Sequence, residues 1–178
     1  MTTRAQAIEE LEAGQLALDT LMLQLSYEQM VVASSIGGGE WSAKDLLAHI
    51  AGWEETALAS LEEWRARRRP WIEDIFARAP EGVDELNAEN DRHGATQSMD
   101  ETRLRADGAH RRLLAEITAM SDEEWNAHAW YPTERRRTLE RLLGSVLGGH
   151  QRPFGHVFDH LPDLRAYVTS TTATPPRG

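Results

Sequence analysis

Residues 42–67, SAKDLLAHIAGWEETALASLEEWRAR, decide the fold class. Their apolar side chains recur at the spacing of one helix face, which predicts a long amphipathic helix from about residue 43 to residue 67. Three consecutive glycines precede this segment and dissolve any earlier helix, and Ser42 then offers an N-cap oxygen. Pro70 stops the helix. The buried side is predicted to carry Leu46, Leu47, Ile50, Trp53, Ala57 and Leu61.

The same helical spacing recurs through most of the chain. It predicts a first helix over about residues 3–28, a third long helix from near Ser98, where SMDE resembles a capping box, and a last helix from about Thr138. The weaker stretch 70–97 is interpreted as a long connection with local helix. No strand pattern and no internal repeat is evident. The sequence therefore predicts an all-α fold, a four-helix bundle with a long crossover connection and short extra helices.

The last predicted helix is interrupted in its middle. Pro153 cannot donate a hydrogen bond to the carbonyl of Gly149, so a kink or break is expected there. Pro162 is expected to bend the chain again further on. We expect a single domain over residues 1–168, followed by a flexible tail over residues 169–178 that is rich in small polar residues and proline.

The composition of the chain excludes several classes of site and partner. The chain has 178 residues, of which 40% are hydrophobic and 27% charged, as is typical of one globular domain. Cysteine is absent, which excludes disulfides, thiolate ligands and a cysteine nucleophile. The net charge of −10 predicts that neither nucleic acid nor an anionic membrane is a main partner. No stretch reads as a signal peptide or a membrane span, so a cytoplasmic location is expected.

Two histidines near the end of the chain are the strongest functional signal. His156 and His160 lie four residues apart, so on a helix they share one face and can aim two imidazoles at a single point. A third imidazole from another helix would complete a set of three nitrogen ligands with open positions, as in catalytic zinc sites. His49 is the candidate, although spacing alone does not link it to the pair. The alternative is that these are ordinary packed or exposed histidines.

The other histidines and the acidic residues carry weaker signals. His150 is a candidate to face the substrate or to orient a ligand. Asp45, one turn before His49, and Asp159, between the paired histidines, are candidates to orient an imidazole. For Asp159 an ordinary role is the stronger interpretation, because it should point roughly 100° around the helix from His160. Glu54 is a candidate base, but a solvated helix carboxylate is the stronger interpretation. The remaining histidines lie in polar surroundings without a partner at ligand spacing, and they are His93, His110 and His128.

Three tryptophans and an arginine run are more typical of ordinary structural roles than of a ligand site. Trp53, Trp125 and Trp130 are expected to belong to the core rather than to stack on a ligand. Residues 135–137, namely Arg135, Arg136 and Arg137, are interpreted as a solvated helix start, with the alternative that one of them grips an anionic substrate group. A site rich in histidine and poor in carboxylates favours zinc, nickel or iron over magnesium or calcium.

Three motifs resemble a known family. WSAKDLLAHIAGWE at residues 41–54 resembles the second-helix signature of the DinB/YfiT-like four-helix bundles. GHVFDHLPDLRAY at residues 155–167 and WNAHAWYP at residues 125–132 resemble the branch that includes DfsB and the colibactin self-protection proteins. The similarity spans roughly residues 5–168 by the order of elements. Where that branch shows Asn-Thr-Tyr before the Gly-His, this chain departs from it with Arg152, Pro153 and Phe154.

The resemblance implies a metal site and a reaction class. It implies that His49, His156 and His160 bind a divalent metal, zinc or nickel above all, and that the chain forms a homodimer. It also implies a small-molecule substrate and a detoxifying hydrolase or thiol transferase, which adds water or a thiol to a small electrophile. Two alternatives stay open. One is a protein that sequesters a small molecule or a metal without turnover, and the other is a stress-induced bundle with a vestigial site.

Overall fold

The computed structural model describes residues 1–37, 41–133, 137–150 and 152–172. Within these ranges the chain forms helices and no β-strand, and its only bridge-type pairings are the isolated Ile36–Trp41 and His128–Thr138 pairs. The predicted all-α class is confirmed. The helices are α1 Arg4–Met22, α2 Tyr27–Met30, α3 Ala43–Arg65, α4 Ile72–Phe76, α5 Glu81–Ala95, α6 Met99–Ala119, α7 Asp122–Trp125, α8 Leu139–Val146 and α9 His156–Thr172.

Helix α3 is the centre of the bundle. It packs most extensively against α6 and also contacts α5, α8 and α9, while α1 packs against α9 and α6. Because α3 is covered on several sides, even its polar residues His49 and Glu54 are buried. No helix in the described part of the chain combines the length and apolar character that a bilayer span requires.

Local sequence signals set where the long helices begin. Ser98 and Glu101 form the predicted capping box at the start of α6, and Ser42 and Asp45 form another at the start of α3. The first helix is shorter than the predicted span 3–28. It ends at Met22 because Ser26 caps a new short helix, α2, and the chain turns between the two.

The weak stretch 70–97 contains two helices, in agreement with the prediction of a connection with local helix. Helix α5 lies close to α3 because glycines stand where the two helices meet. A Cβ at position 94 would lie 2.7 Å from the Cβ of Ala48, and one at position 52 would lie 2.6 Å from the side-chain carbon of Asn90. This close packing brings α5 over the central part of α3.

The predicted interruption before the last helix is confirmed, and α9 does not end at Pro162, where a bend is predicted. Helix α8 ends at Val146, and Phe154 adopts a φ of 60° before α9 begins. Pro162 lies inside α9, which continues to Thr172. An internal proline costs about 3 kcal/mol, but each buried apolar side chain contributes about 1.5–3 kcal/mol. On α9 these side chains are Val157, Leu161, Leu164 and Val168.

Helix α9 extends further toward the end of the chain than predicted. Helix α9 takes in the first four residues of the segment expected to be a flexible tail, and residues 173–178 lie outside the described residues.

Candidate metal centre

His49 is held on the central helix by packing rather than by a polar partner. Its side chain is only 3% exposed. Its Nδ1 is buried and has no hydrogen-bond partner among the described residues. The prediction that Asp45 could orient this imidazole is wrong, because the Asp45 carboxylate accepts hydrogen bonds from the Ser42 backbone N–H at 3.0 Å and from the Ser42 hydroxyl at 2.6 Å.

His156 and His160 come from the first two turns of α9. The backbone N–H of His156 donates to the carbonyl of Leu147 at 3.0 Å, which anchors the start of the helix to the end of α8. The two imidazoles lie one turn apart on one face, as their spacing predicts. The Nε2 atoms of His156 and His160 are 3.1 Å apart.

The fold brings His49 to this pair. Its Nε2 lies 3.2 Å from Nε2 of His156, and the three histidines offer ligand atoms within 4.8 Å of one another. On a tetrahedral zinc ion with bonds of about 2.05 Å, two ligand nitrogens lie about 3.3 Å apart. The two Nε2 separations from His156, 3.1 and 3.2 Å, fit that requirement, and the ligand atoms of His49 and His160 lie within 4.8 Å of each other. The described residues therefore suit a three-nitrogen metal site.

Burial keeps these imidazoles neutral. It lowers the pKa of His49 to about 2, with a further contribution from His156 and His160, and it lowers the pKa of His156 to about 3, with a contribution from His160. Burial also lowers the pKa of His160. Neutral imidazole is the form that binds a metal, so protons compete weakly for these nitrogens at neutral pH.

Two tryptophans pack against the histidines. The ring of Trp41 lies 4.7 Å from that of His49 and 5.7 Å from that of His160, measured between centroids. Trp53 meets His156 edge-on at 5.7 Å. Trp53 is buried, as predicted, but it also contacts this site. Trp41 was not singled out from the sequence, although it lies in the same motif as His49.

The three histidines line a cavity of about 450 Å³. Its wall is largely apolar and aromatic, with Phe76, Val83 and Val146 beside the two tryptophans. Asn87, on α5, adds a polar group. Its side-chain oxygen accepts a hydrogen bond from the indole N–H of Trp53 at 3.1 Å. Its side-chain NH₂ group therefore remains available to donate a hydrogen bond.

His150 and Asp159 lie at the same cavity. The Asp159 carboxylate accepts hydrogen bonds from the backbone N–H of His150 at 2.7 Å and from its ring Nδ1 at 2.9 Å. Burial opposes ionisation of Asp159, but these two bonds outweigh it and hold the pKa of the carboxyl below its usual value. Asp159 thus orients an imidazole, although it is that of His150.

Glu54 and His110 form a buried pair. Glu54 is not the solvated carboxylate that the sequence favours, since it is 4% exposed. His110, which has no partner at ligand spacing, is 8% exposed, and its Nδ1 lies 2.7 Å from a Glu54 oxygen. Burial raises the pKa of Glu54, and the hydrogen bond to His110 opposes that rise. The pair joins α3 to α6, and neither residue lines the cavity of the three histidines.

The remaining predicted residues have structural roles where they are described. Arg137 is not solvated, because it forms an ion pair with Glu73 at 2.8 Å, and Arg135 and Arg136 lie outside the described residues. Trp125 is buried, as predicted. Trp130 packs edge-on against Trp64 at 4.9 Å. His93 and His128 are exposed and contribute nothing to the site.

Solved structures share this fold at low sequence identity. An uncharacterised protein from Escherichia coli UTI89 is similar with a TM-score of 0.75 and 13% identity, covering 98% of each chain. The colibactin self-resistance protein ClbS, solved in complex with a double-stranded DNA, is similar with a TM-score of 0.68 and 11% identity, covering 98% of this chain and 99% of that one. No curated protein matches the sequence.

The exclusion of nucleic acid as a partner is wrong. The net charge of −10 predicts no such partner, yet the similar protein ClbS was solved in complex with DNA. Net charge sums over the whole surface, whereas contacts to phosphates depend on where individual cations lie. In this acidic chain, arginines still cluster locally after the end of α3, at Arg67, Arg68 and Arg69.

Sequence comparison agrees with the fold and with the resemblance of the motifs. The match to the DinB superfamily covers residues 6–162, which includes all three predicted ligand histidines and every helix from α2 to α8. The predicted family is therefore confirmed, and the chain belongs to the DinB superfamily.

Proposed function

We propose that the protein binds a divalent metal, zinc or nickel, through His49, His156 and His160 and adds water or a thiol to a small electrophile. The observation that carries the proposal is the convergence of the three imidazoles, with Nε2 separations of 3.1 and 3.2 Å, on a cavity open to a ligand. When bound, such a metal supplies a Lewis acid that lowers the pKa of water or of a thiol toward neutrality.

The protein's own residues prepare the site for this chemistry. Burial keeps the three imidazoles unprotonated, and Trp41 and Trp53 fix their rings by packing. The largely apolar and aromatic wall lowers the local dielectric constant, which strengthens electrostatic interactions in the site.

The cavity favours a small, flat and largely apolar substrate. A cavity of about 150 Å³ already accommodates benzene, so about 450 Å³ leaves room for a substituted ring and a nucleophile. Trp41, Trp53 and Phe76 offer surfaces for stacking, and the Asn87 amide offers a donor to a substrate oxygen. No lysine or arginine is among the described residues that line it, so its side chains offer no cationic group to a substrate.

A protective role agrees with the comparisons. ClbS is named as a colibactin self-resistance protein, and this chain shares its fold. Adding water or a thiol to a reactive electrophile destroys its capacity to alkylate other molecules. We therefore place the proposed reaction in detoxification or self-protection.

Sequestration without turnover is the second candidate, favoured by one observation. Glu54, the candidate base, is bound to His110 and lies outside the cavity. Asp159 is the one carboxylate among the described residues that line the cavity, and it is bound to His150. A site without a free carboxylate base can hold a ligand and release it unchanged.

Styrene oxide, a small aromatic epoxide, tests the two candidates. The zinc-loaded protein is mixed with excess epoxide, with and without glutathione, and the diol or thioether is measured by chromatography. The proposal predicts many turnovers per chain, abolished by a chelator and by His156→Ala but not by His93→Ala. Sequestration predicts at most one molecule consumed or held per site. Product formation that is equal with and without zinc would refute the enzymatic proposal.

A further inference from the structure

His150 stands at the mouth of the cavity, and its orientation is defined. Its imidazole is 94% exposed, yet its backbone N–H and its ring Nδ1 both bond to one oxygen of Asp159, at 2.7 and 2.9 Å. Two bonds to one carboxylate oxygen hold a ring that would otherwise rotate freely in solvent.

These bonds select one tautomer of His150. The Asp159 oxygen already accepts the backbone N–H of His150, and ring Nδ1 lies 2.9 Å from the same oxygen, so the proton of the neutral imidazole resides on Nδ1. The lone pair of Nε2 is then free, and this atom has no hydrogen-bond partner among the described residues. A carboxylate that orients an imidazole in this way is the arrangement that makes histidine an effective base.

The backbone around the pair is shaped for this contact. A Cβ at position 149 would lie 2.6 Å from the Asp159 carboxylate oxygen, so glycine at this position lets the chain approach the carboxylate. Asp159 belongs to α9, between His156 and His160, and all three line the cavity together with His150. One helix thus presents both the two metal-ligand candidates and the carboxylate that holds His150.

We propose that His150 is the general base for the nucleophile in this cavity and that Asp159 is its positioning residue, an inference that rests on the proposed function. With an epoxide, the oxygen of water bonds to a ring carbon while the C–O bond to the ring oxygen breaks and leaves its electron pair on that oxygen. Nε2 of His150 takes the proton from the attacking water and returns it to the alkoxide. A thiol reacts in the same way through sulfur, and no oxidant or reductant is needed.

The test uses zinc-loaded protein and styrene oxide, with zinc content measured for every variant. Because the His150 side chain is exposed, His150→Ala should fold normally, and His93→Ala is the matched control for loss of an exposed histidine. General bases contribute about 10²–10⁴-fold, so kcat should fall by that factor in His150→Ala while KM and zinc content stay unchanged. Asp159→Asn should lower kcat less and change the His150 tautomer, which ¹⁵N NMR of the imidazole nitrogens reads directly.

Three results would overturn the proposed role of His150, and they can be told apart. Zinc-dependent turnover that His150→Ala leaves within twofold would overturn the role of His150 and leave the proposed function standing. Loss of zinc in His150→Ala would also overturn it, because His150 would then act as a ligand. Absence of zinc-dependent turnover in the unaltered protein would overturn the proposed function and this inference together.

Discussion

The buried pair of Glu54 and His110 gives a quantitative prediction about stability. His110→Leu removes the only hydrogen-bond partner that the described residues provide for the Glu54 carboxylate and leaves that group buried between α3 and α6. Removing one member of a buried pair costs about 3–5 kcal/mol. Glu54 can escape part of this cost by taking up a proton, since burial already raises its pKa. We therefore expect a loss of about 3 kcal/mol at pH 7.

Urea denaturation measures this loss. With an m-value of about 2–3 kcal/mol/M, a loss of about 3 kcal/mol lowers the midpoint by about 1–1.5 M. The double variant Glu54→Leu/His110→Leu should recover most of the stability, because two apolar residues replace the pair without an orphaned carboxylate. His93→Leu, at an exposed position, is the control. A His110→Leu midpoint equal to that of the control, or a double variant as unstable as the sum of the singles, would refute the reasoning.

The raised pKa of Glu54 predicts how the stability of His110→Leu depends on pH. A glutamate whose pKa is raised in the folded protein favours folding while it is protonated, and this contribution is lost as pH rises above its unfolded value of 4.5. His110→Leu should therefore be less destabilising at pH 5 than at pH 7. A loss of stability that is the same at both pH values would contradict the assignment of the cost to the ionised carboxylate.

Two further predictions concern the histidines and the helix packing. In metal-free protein, the unfolded chain binds a proton at His49 below about pH 6.5 and the folded chain does not, so stability falls as pH decreases. Between about pH 6 and pH 4, the free energy of unfolding of the unaltered protein should fall by about 1.4 kcal/mol more per pH unit than that of His49→Gln, as measured by urea denaturation. Equal pH dependences of the two proteins would contradict this. Gly94→Ala should destabilise by about 1–3 kcal/mol because its Cβ would meet Ala48 at 2.7 Å, whereas Gly108→Ala, where a Cβ meets nothing within 4 Å, should stabilise slightly. Equal thermal shifts for the two glycine variants would refute the close packing of α5 on α3.

Much of the fold follows from local signals in the sequence. The amphipathic pattern of residues 42–67 and the Ser98 capping box specify α3 and α6 closely, because apolar spacing and N-caps act over only a few residues. The continuation of α9 through Pro162 could not be predicted in this way. It depends on the burial of Leu161 and Leu164 by other helices, which a local pattern does not contain.

Local sequence signals likewise predict only part of the candidate site. The spacing of His156 and His160 predicts a shared helix face. The approach of His49 follows only from the family resemblance or the fold, since His49 lies 107 residues before His156 in the sequence. The pairing of Glu54 with His110 and that of Asp159 with His150 were missed for the same reason. The first pair joins two helices and the second joins a loop to a helix. Neither pair has a spacing in the sequence that predicts the contact.

The metal content of the purified protein tests the central claim most directly. Each variant is loaded with zinc, dialysed at pH 7.5 and analysed for zinc and protein. If His49, His156 and His160 are the ligands, the unaltered protein and His93→Ala should retain one zinc ion per chain, while His49→Ala and His160→Ala should retain far less. Equal zinc content in His160→Ala and His93→Ala, or no zinc in the unaltered protein, would contradict the account.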